Sequence, residues 1–383
     1  MTRRGLVFFL SAVLGAAAAG SQTPSPALSL VADPAADEAA NFLAGRACRT
    51  AAWKALQETD DYQAYAAALE ASWAELEAKR LRPMAAWAAA EMGEAVGETE
   101  TLFYPFGGPD LLTALVLFPK AGTYILQGLE YVGRLPAFEG GTGAARVKPY
   151  TRNLFDTLSD FFKKSYFATK RMEASPGGDK VDGVLPLLVL FLKRTNHDIA
   201  SVRRLDLLET GEVEESPYPG ERPRFRRPYG VKISFFAAGS GRLRTLVYFS
   251  ADFVDSVFRP DSAFLRYLEA LPFETAFIKS ASYLMHFREF SNIRGILLRR
   301  CRFLLQDDTG IPFRHFSDED WDIRLYGEYA KPAGDFAGVE QIDLRTAFAD
   351  PARVRPLPFQ LGSPRSAGKD AVIYLRRKTH EHP

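Results

Sequence analysis

Cysteine is nearly absent from this chain. Of 383 residues only Cys48 and Cys301 carry a thiol, so there is no disulfide framework and no cysteine-paired zinc spacing. Two readings stay open for the pair: one disulfide tying an early helix to the later part of the chain, or two separately buried small hydrophobes. Histidine is scarce too, at five. Neither His197-Asp198, nor His315, nor the terminal His380 and His382 has a ligand spacing that suits a metal, and none is expected. After the first twenty or so residues no apolar run is long enough to cross a bilayer. The longest, Val184 to Leu192, reads as a buried core element. Neither sign of charge dominates, with 48 Lys and Arg against 47 Asp and Glu. The formal charge is +1, and loss of Arg3 and Arg4 with a leader would make it −1. Such balance disfavours nucleic acid or an anionic membrane as the main partner. No internal period suggests a solenoid.

What is present begins at the N-terminus. Arg3 and Arg4 precede an apolar run from Leu6 to Leu14 that fades into Ala16 to Ala19, the pattern of a cleavable secretory signal peptide. Ala18, Gly20 and Ser21 supply small residues for cleavage near Gly20 to Gln22. No cysteine stands there to take a lipid, so a periplasmic or secreted protein with no membrane span is expected. Thr2-Arg3-Arg4 resembles a twin-arginine leader, but Gly5-Leu6-Val7 continues as an ordinary apolar stretch and favours the general route. In that compartment ATP, NAD and S-adenosylmethionine are scarce, and no cofactor is expected.

At 47% apolar and 13% aromatic residues the chain can bury a substantial core. Composition divides it into a leader (1–21), a Pro, Ser and Ala-rich spacer (22–36), a helical N-terminal segment (37–97) and an α/β domain (98–383). In the helical segment Tyr62, Tyr65, Leu69, Trp73 and Leu76 recur at three- and four-residue steps, a stripe expected to face the core. Pro83 should end or bend that helix, with Trp53 and Leu56 on an earlier helix and Met84 and Trp87 on a later one.

Past Thr101 short apolar runs bounded by Gly and Pro alternate with helical patterns. The clearest unit is a strand through Phe103 to Phe106, a turn at Gly107-Gly108, a helix from Pro109 to Phe118 and a strand from Thr123 to Leu126. Helices are expected over Tyr150–Thr169 and Val184–Lys193. Gly211–Tyr229, with several prolines and Arg222, Arg224, Arg226 and Arg227, reads as a loop or a long hairpin end. A hairpin is expected from Gly230–Ala237 and Leu243–Phe249 around Gly239-Ser240-Gly241. Alternating elements follow: a helix at Ser262–Leu271, a strand at Glu274–Ile278, a helix at Phe290–Arg300 and a strand at Cys301–Leu305. Trp321–Tyr326, Pro356–Leu361 and Ala371–Leu375 are further strand candidates. The fold class expected is α/β, a Rossmann-like mixed or parallel sheet with flanking helices behind a helical N-terminal segment.

Three further constellations bear on chemistry. Gly107-Gly108-Pro109-Asp110, followed by Glu130 at the end of the next strand, resembles the opening of a class I methyltransferase or another Rossmann-like domain. The glycines would let backbone approach a ligand, and Glu130 would accept bonds from paired hydroxyls. The full GxGxxG pattern is missing, which disfavours a nucleotide. Lys279-Ser280-Ala281-Ser282-Tyr283, ending at His286, lies at the C-terminal end of an expected strand. There Lys279 or His286 could activate Ser280 or Ser282, although neighbouring strand residues point to opposite faces. Asp307-Asp308-Thr309-Gly310 resembles the aspartic protease signature but occurs once, and reads better as a polar turn closing a strand.

Two longer stretches carry a second resemblance. Tyr104-Pro105-Phe106-Gly107-Gly108-Pro109-Asp110 with Gly128-Leu129-Glu130, the run Lys279 to His286, and Leu305 to Pro312 are similar to sequences of an uncharacterised family of exported bacterial proteins. The resemblance implies a bacterial envelope protein and brings no activity. Together these readings point to a binding or interaction role at a crevice lined by Asp110, Glu130, Lys279, Ser280 and Ser282. Its partner would be a small molecule or an envelope protein. The alternative is a serine-dependent hydrolase of an envelope ester, peptide or glycan.

Overall fold

The computed structural model describes residues 30–138, 143–164, 180–218, 228–329, 338, 340–361 and 370–379, apart from the side chains of 164, 280 and 281. The leader, most of the spacer, the four loop arginines, His380 and His382 lie outside these residues.

The N-terminal segment is a run of helices: α1 (Pro34–Leu43), α2 (Ala51–Gln57), α3 (Asp60–Leu76), α4 (Arg82–Glu91) and α5 (Gly93–Glu98). Helix α1 starts within the stretch that reads as spacer, because Asp33 caps it by accepting from the N–H groups of Ala35 (3.0 Å) and Ala36 (3.1 Å). The aromatic stripe lies on α3 and is buried throughout. Pro83 neither ends the helix nor separates α3 from α4. A single π turn, Glu77–Leu81, joins them instead. Pro83 has no N–H for the carbonyl of Lys79, and its ring crowds that carbonyl, so one wider turn lets the helix continue.

The α/β part supplies β1 (Thr101–Tyr104), α6 (Leu111–Leu117), β2 (Thr123–Gly128), α7 (Gly143–Lys164), α8 (Leu185–Arg194), β3 (His197–Leu207), β4 (Val213–Pro217), β5 (Tyr229–Ala237) and β6 (Arg244–Ser250). It continues with α9 (Ala263–Ala270), β7 (Thr275–Ile278), α10 (Ser291–Arg300), β8 (Phe303–Asp307), β9 (Trp321–Gly327), α11 (Ile342–Phe348), β10 (Val354–Arg355) and β11 (Ala371–Arg377). Pro356–Leu361 adds no strand. Pro356 and Pro358 cannot donate to a ladder, and pairing stops at Arg355.

The eleven strands among the described residues join one mixed sheet in the order β10-β9-β11-β8-β7-β1-β2-β6-β5-β3-β4. Its centre, β8-β7-β1-β2-β6, is parallel. Antiparallel strands flank it, β5, β3 and β4 on one side and β11 on the other. From β1 the chain steps to β2, goes out to β3 and β4 at the far edge, comes back inward through β5 and β6, then crosses to the opposite side of β1 for β7 and β8. That reversal is the Rossmann-like arrangement, and it makes the C-terminal ends of β1 and β7 a topological switch point.

Alternation along the strands sends Leu102, Tyr104, Phe277 and Leu305 to one face and Phe103, Ile278 and Leu304 to the other. The first face is covered by α1 and α3 to α8, the second by α9 to α11. The apolar run foreseen as core is α8, whose ten residues are all buried. Its last turn also anchors the N-terminal helices. Lys193 Nζ reaches Asp37 Oδ1 at 2.9 Å and Asp198 Oδ1 at 2.6 Å, and Arg194 meets Glu70 at 2.7 Å. One core therefore runs from Ala36 on α1 to Tyr374 on β11.

Candidate functional site at the sheet edge

The turn after β1 is shaped by close backbone approaches. Phe106 (φ 60°) and Gly108 (φ 51°) both take left-handed conformations. Buried Gln127 holds the turn, its Oε1 accepting from Phe106 N (2.9 Å), while its own carbonyl takes Gly108 N at 3.1 Å. A Cβ on Gly107 would stand 2.7 Å from the Tyr104 ring, and one on Gly108 would stand 3.3 Å from the Glu130 carboxylate. The two glycines thus pack on the protein's own Tyr104 and Glu130.

Asp110 does not enter the first turn of α6 but caps it. Its Oδ1 accepts from Thr113 N (3.2 Å) and Thr113 Oγ1 (2.6 Å). Its Oδ2 accepts from Tyr104 OH (3.0 Å) and from Lys279 Nζ (3.0 Å). Lys279 follows Ile278 of β7 in extended conformation and lies on the same face as Tyr104. Two stretches that stand far apart in the sequence therefore meet at the switch point, in a buried ion pair. Burial, and then the carboxylates of Asp110 and Asp307, push the Tyr104 phenol well above its ordinary range, so it serves as a donor.

Ser282 lies in the 3-10 segment Ser280–His286 and has no exposed surface. Its hydroxyl is 2.8 Å from Thr309 Oγ1, which donates its one proton to Asp307 Oδ1 at 2.5 Å, so Ser282 is the donor to Thr309. Ser280 opens the same segment, its side chain outside the described residues, and half-buried His286 closes it. Asp307 and Thr309 form a tight turn at the end of β8. Gln306 braces that turn by bonding both the N–H (3.0 Å) and the carbonyl (2.9 Å) of Ile311.

Among the described residues no cluster of metal-ligating side chains occurs. His197 instead bonds Thr195 (3.0 Å) and the Arg244 guanidinium (3.1 Å), and His315 sits on a short 3-10 turn. Cys48 and Cys301 are both free and buried. They belong to cores on opposite faces of the sheet, which rules out the disulfide reading.

On the same edge of the sheet, at the ends of the outer strands rather than at the switch point, lies a cavity of about 910 Å³, within the size range of small-molecule sites. One wall is helical, with Leu76, Lys79 and Arg80 from α3 and the π turn, and Phe162 and Lys163 from α7. The other is the C-terminal edge of the outer strands, with Glu328 after β9, Pro356 to Gln360 after β10, and Asp370 before β11. Arg80 Nη2 donates to the Phe162 carbonyl at 2.9 Å. Burial lowers its pKa, and the Asp110 and Asp370 carboxylates oppose that shift. Sequence reading did not single out Arg80 or Asp370. The available signal was Pro83, four residues after Lys79, which forces the π turn that carries Lys79 and Arg80. No known protein family and no curated protein matches the chain.

Proposed function

We propose that the protein is exported and binds a small organic molecule at the C-terminal edge of its sheet, in the cavity at the ends of the outer strands. The observation that carries this reading is the place of the cavity, at the C-terminal edge of the sheet between the helical layer and the outer strands, where Arg80 and Asp370 line it. In open α/β sheets that edge is where ligands sit, and convergent polar groups in a largely preformed pocket give orientation. Export rests on the leader pattern and on the resemblance to exported bacterial proteins.

Serine hydrolysis is the weaker reading. Ser282 is fully enclosed and already donates to Thr309, and Lys279 is engaged as a donor to Asp110 rather than placed to accept a proton.

The test is native mass spectrometry of the protein recovered from its own envelope, as wild type and with Ser159→Trp, which puts a large ring on the α7 wall of the cavity where Ser159 lines it. A small-molecule mass on the wild type that is lost in the variant supports ligand binding. A clean mass in both, or an attached protein in both, would shift the role to protein–protein interaction.

A further inference from the structure

The switch point is filled by the protein's own Asp110–Lys279 pair, and what it turns outward is apolar. The loops after β1, β6 and β7 meet there on a shared floor of Phe106, Phe253 and Phe290, one from each. The Phe106 ring lies 5.2 Å from Phe253 and 6.2 Å from Phe290. The second and third loops are laced together, since Asp255 N donates to the Glu289 carbonyl at 2.7 Å and Asn292 Nδ2 to the Phe258 carbonyl at 2.8 Å. The turn after β2 joins them through Ala251 N and the Gly128 carbonyl at 3.0 Å. On these loops Leu129, Val257 and Phe287 are 66%, 55% and 45% exposed, and Phe106 and Phe290 are only half-buried. A single exposed apolar side chain needs no explanation, but a group on adjoining loops is a patch of the kind that marks an interaction surface.

Charge is ordered along this patch. At its β6 end stands exposed Asp252, whose Oδ1 accepts from Val254 N at 2.9 Å. At its β7 and β8 end stand Arg288, Arg294 and Arg314. Arg288 is 94% exposed and holds Glu289 at 2.9 Å in a pair that water weakens. Arg294 donates to the Phe287 carbonyl at 3.1 Å, and exposed Arg314 has no hydrogen bond or ion pair among the described residues. Asp255, the acid between the two ends, is taken up by the first turn of α10, where it accepts from Ser291 N and Asn292 N at 3.0 Å each. Along β8-β7-β1-β2-β6 the bases and the acid therefore lie at opposite ends of an apolar middle. A twofold rotation about that middle lays each end on the other, so the surface is its own complement. We propose that this edge is a dimer interface on which a second copy of the chain docks. Leu129, Val257 and Phe287 pack between the copies, and Asp252 of each faces Arg288 and Arg314 of the other. This inference goes beyond the ligand-binding reading and does not rest on it, because the cavity lies past β8 at the ends of the outer strands.

The experiment is sedimentation equilibrium of the purified protein. Wild type should sediment as two chains, and Phe287→Asp should raise the dissociation constant roughly thirtyfold or more, as expected when an aromatic anchor of an interface is lost. Asp252→Arg alone, and Arg288→Asp with Arg314→Asp alone, should each be monomeric, because like charges then meet at both ends. An equimolar mixture of these two variants should recover the dimer, since each end of the mixed pair again joins opposite signs. Monomeric wild type overturns the proposal. So does a dimer that Phe287→Asp leaves intact, or a mixture that stays monomeric while both variants keep the circular dichroism of wild type. In the native spectra the pairing reads as twice the chain's mass, with or without a ligand, so its failure leaves the ligand-binding reading standing and the converse holds.

Discussion

Lys279 and Asp110, 169 positions apart, meet at 3.0 Å with at most 5% of either side chain exposed. A buried pair contributes little net stability over an apolar substitute, but removing one partner leaves the other charge uncompensated. Lys279→Met should therefore lower unfolding free energy by about 3–5 kcal/mol. Asp110→Asn keeps an oxygen for the α6 cap while removing the charge. The double variant Asp110→Asn with Lys279→Met should recover part of that loss in urea unfolding. Strictly additive losses would mean that the two side chains are not energetically coupled.

The enclosure of Ser282 bears on reactivity. A fluorophosphonate probe labels a serine only when the hydroxyl is reachable and activated. The native protein should stay unlabelled, while a serine hydrolase used as control is labelled fully. Mass-spectrometric detection of the probe on Ser280 or Ser282 would reinstate the hydrolase reading.

How much of this was legible depended on whether the signal was local. The β1–α6–β2 unit announced itself because Gly107-Gly108, the capping Asp110 and two short apolar runs lie within one stretch. The β5–β6 hairpin was equally plain. Strand β3 was not: Ile199, Val202 and Leu205 fall at three-residue steps, and a bulge between Ile199 and Ser201 breaks the alternation that marks a strand. The site behaved likewise. Asp110, Lys279 and Ser282 stood out as polar groups at strand ends. That Lys279 would pair with Asp110, and Ser282 with Thr309, depends on strand order, which no local pattern encodes. Arg80 was hidden because its position is set by a π turn rather than by ordinary helical spacing.

The cysteines offer a direct check on the two-faced core. Burial pushes both thiols up to about 12, so neither is a reactive thiolate at neutral pH. Native protein should resist maleimide. After denaturation without reductant two thiols per chain should be alkylated. A disulfide would leave none, and would require Cys48 and Cys301 to meet across the sheet.

Acid should act through His197. Burial first, and then the Arg244 charge, push its pKa down from 6.5 to about 4. The neutral ring accepts from Arg244 at Nε2 and donates from Nδ1 to Thr195, and Arg244 itself is held by the Ala121 carbonyl and the Tyr124 hydroxyl. Protonation at Nε2 would set two cations donor to donor inside the protein. Between pH 6.5 and 4 the unfolded chain therefore binds a proton at this residue that the folded chain refuses. This contribution is whole above pH 6.5, falls as the pH drops toward 4 and flattens below, amounting to about 3 kcal/mol at most. His197→Gln keeps an acceptor for Arg244 and cannot titrate. In urea unfolding from pH 7 to pH 4, wild type should lose stability more steeply than His197→Gln. Parallel curves would mean that the imidazole is already protonated in the folded protein, and that Arg244 is held by other groups.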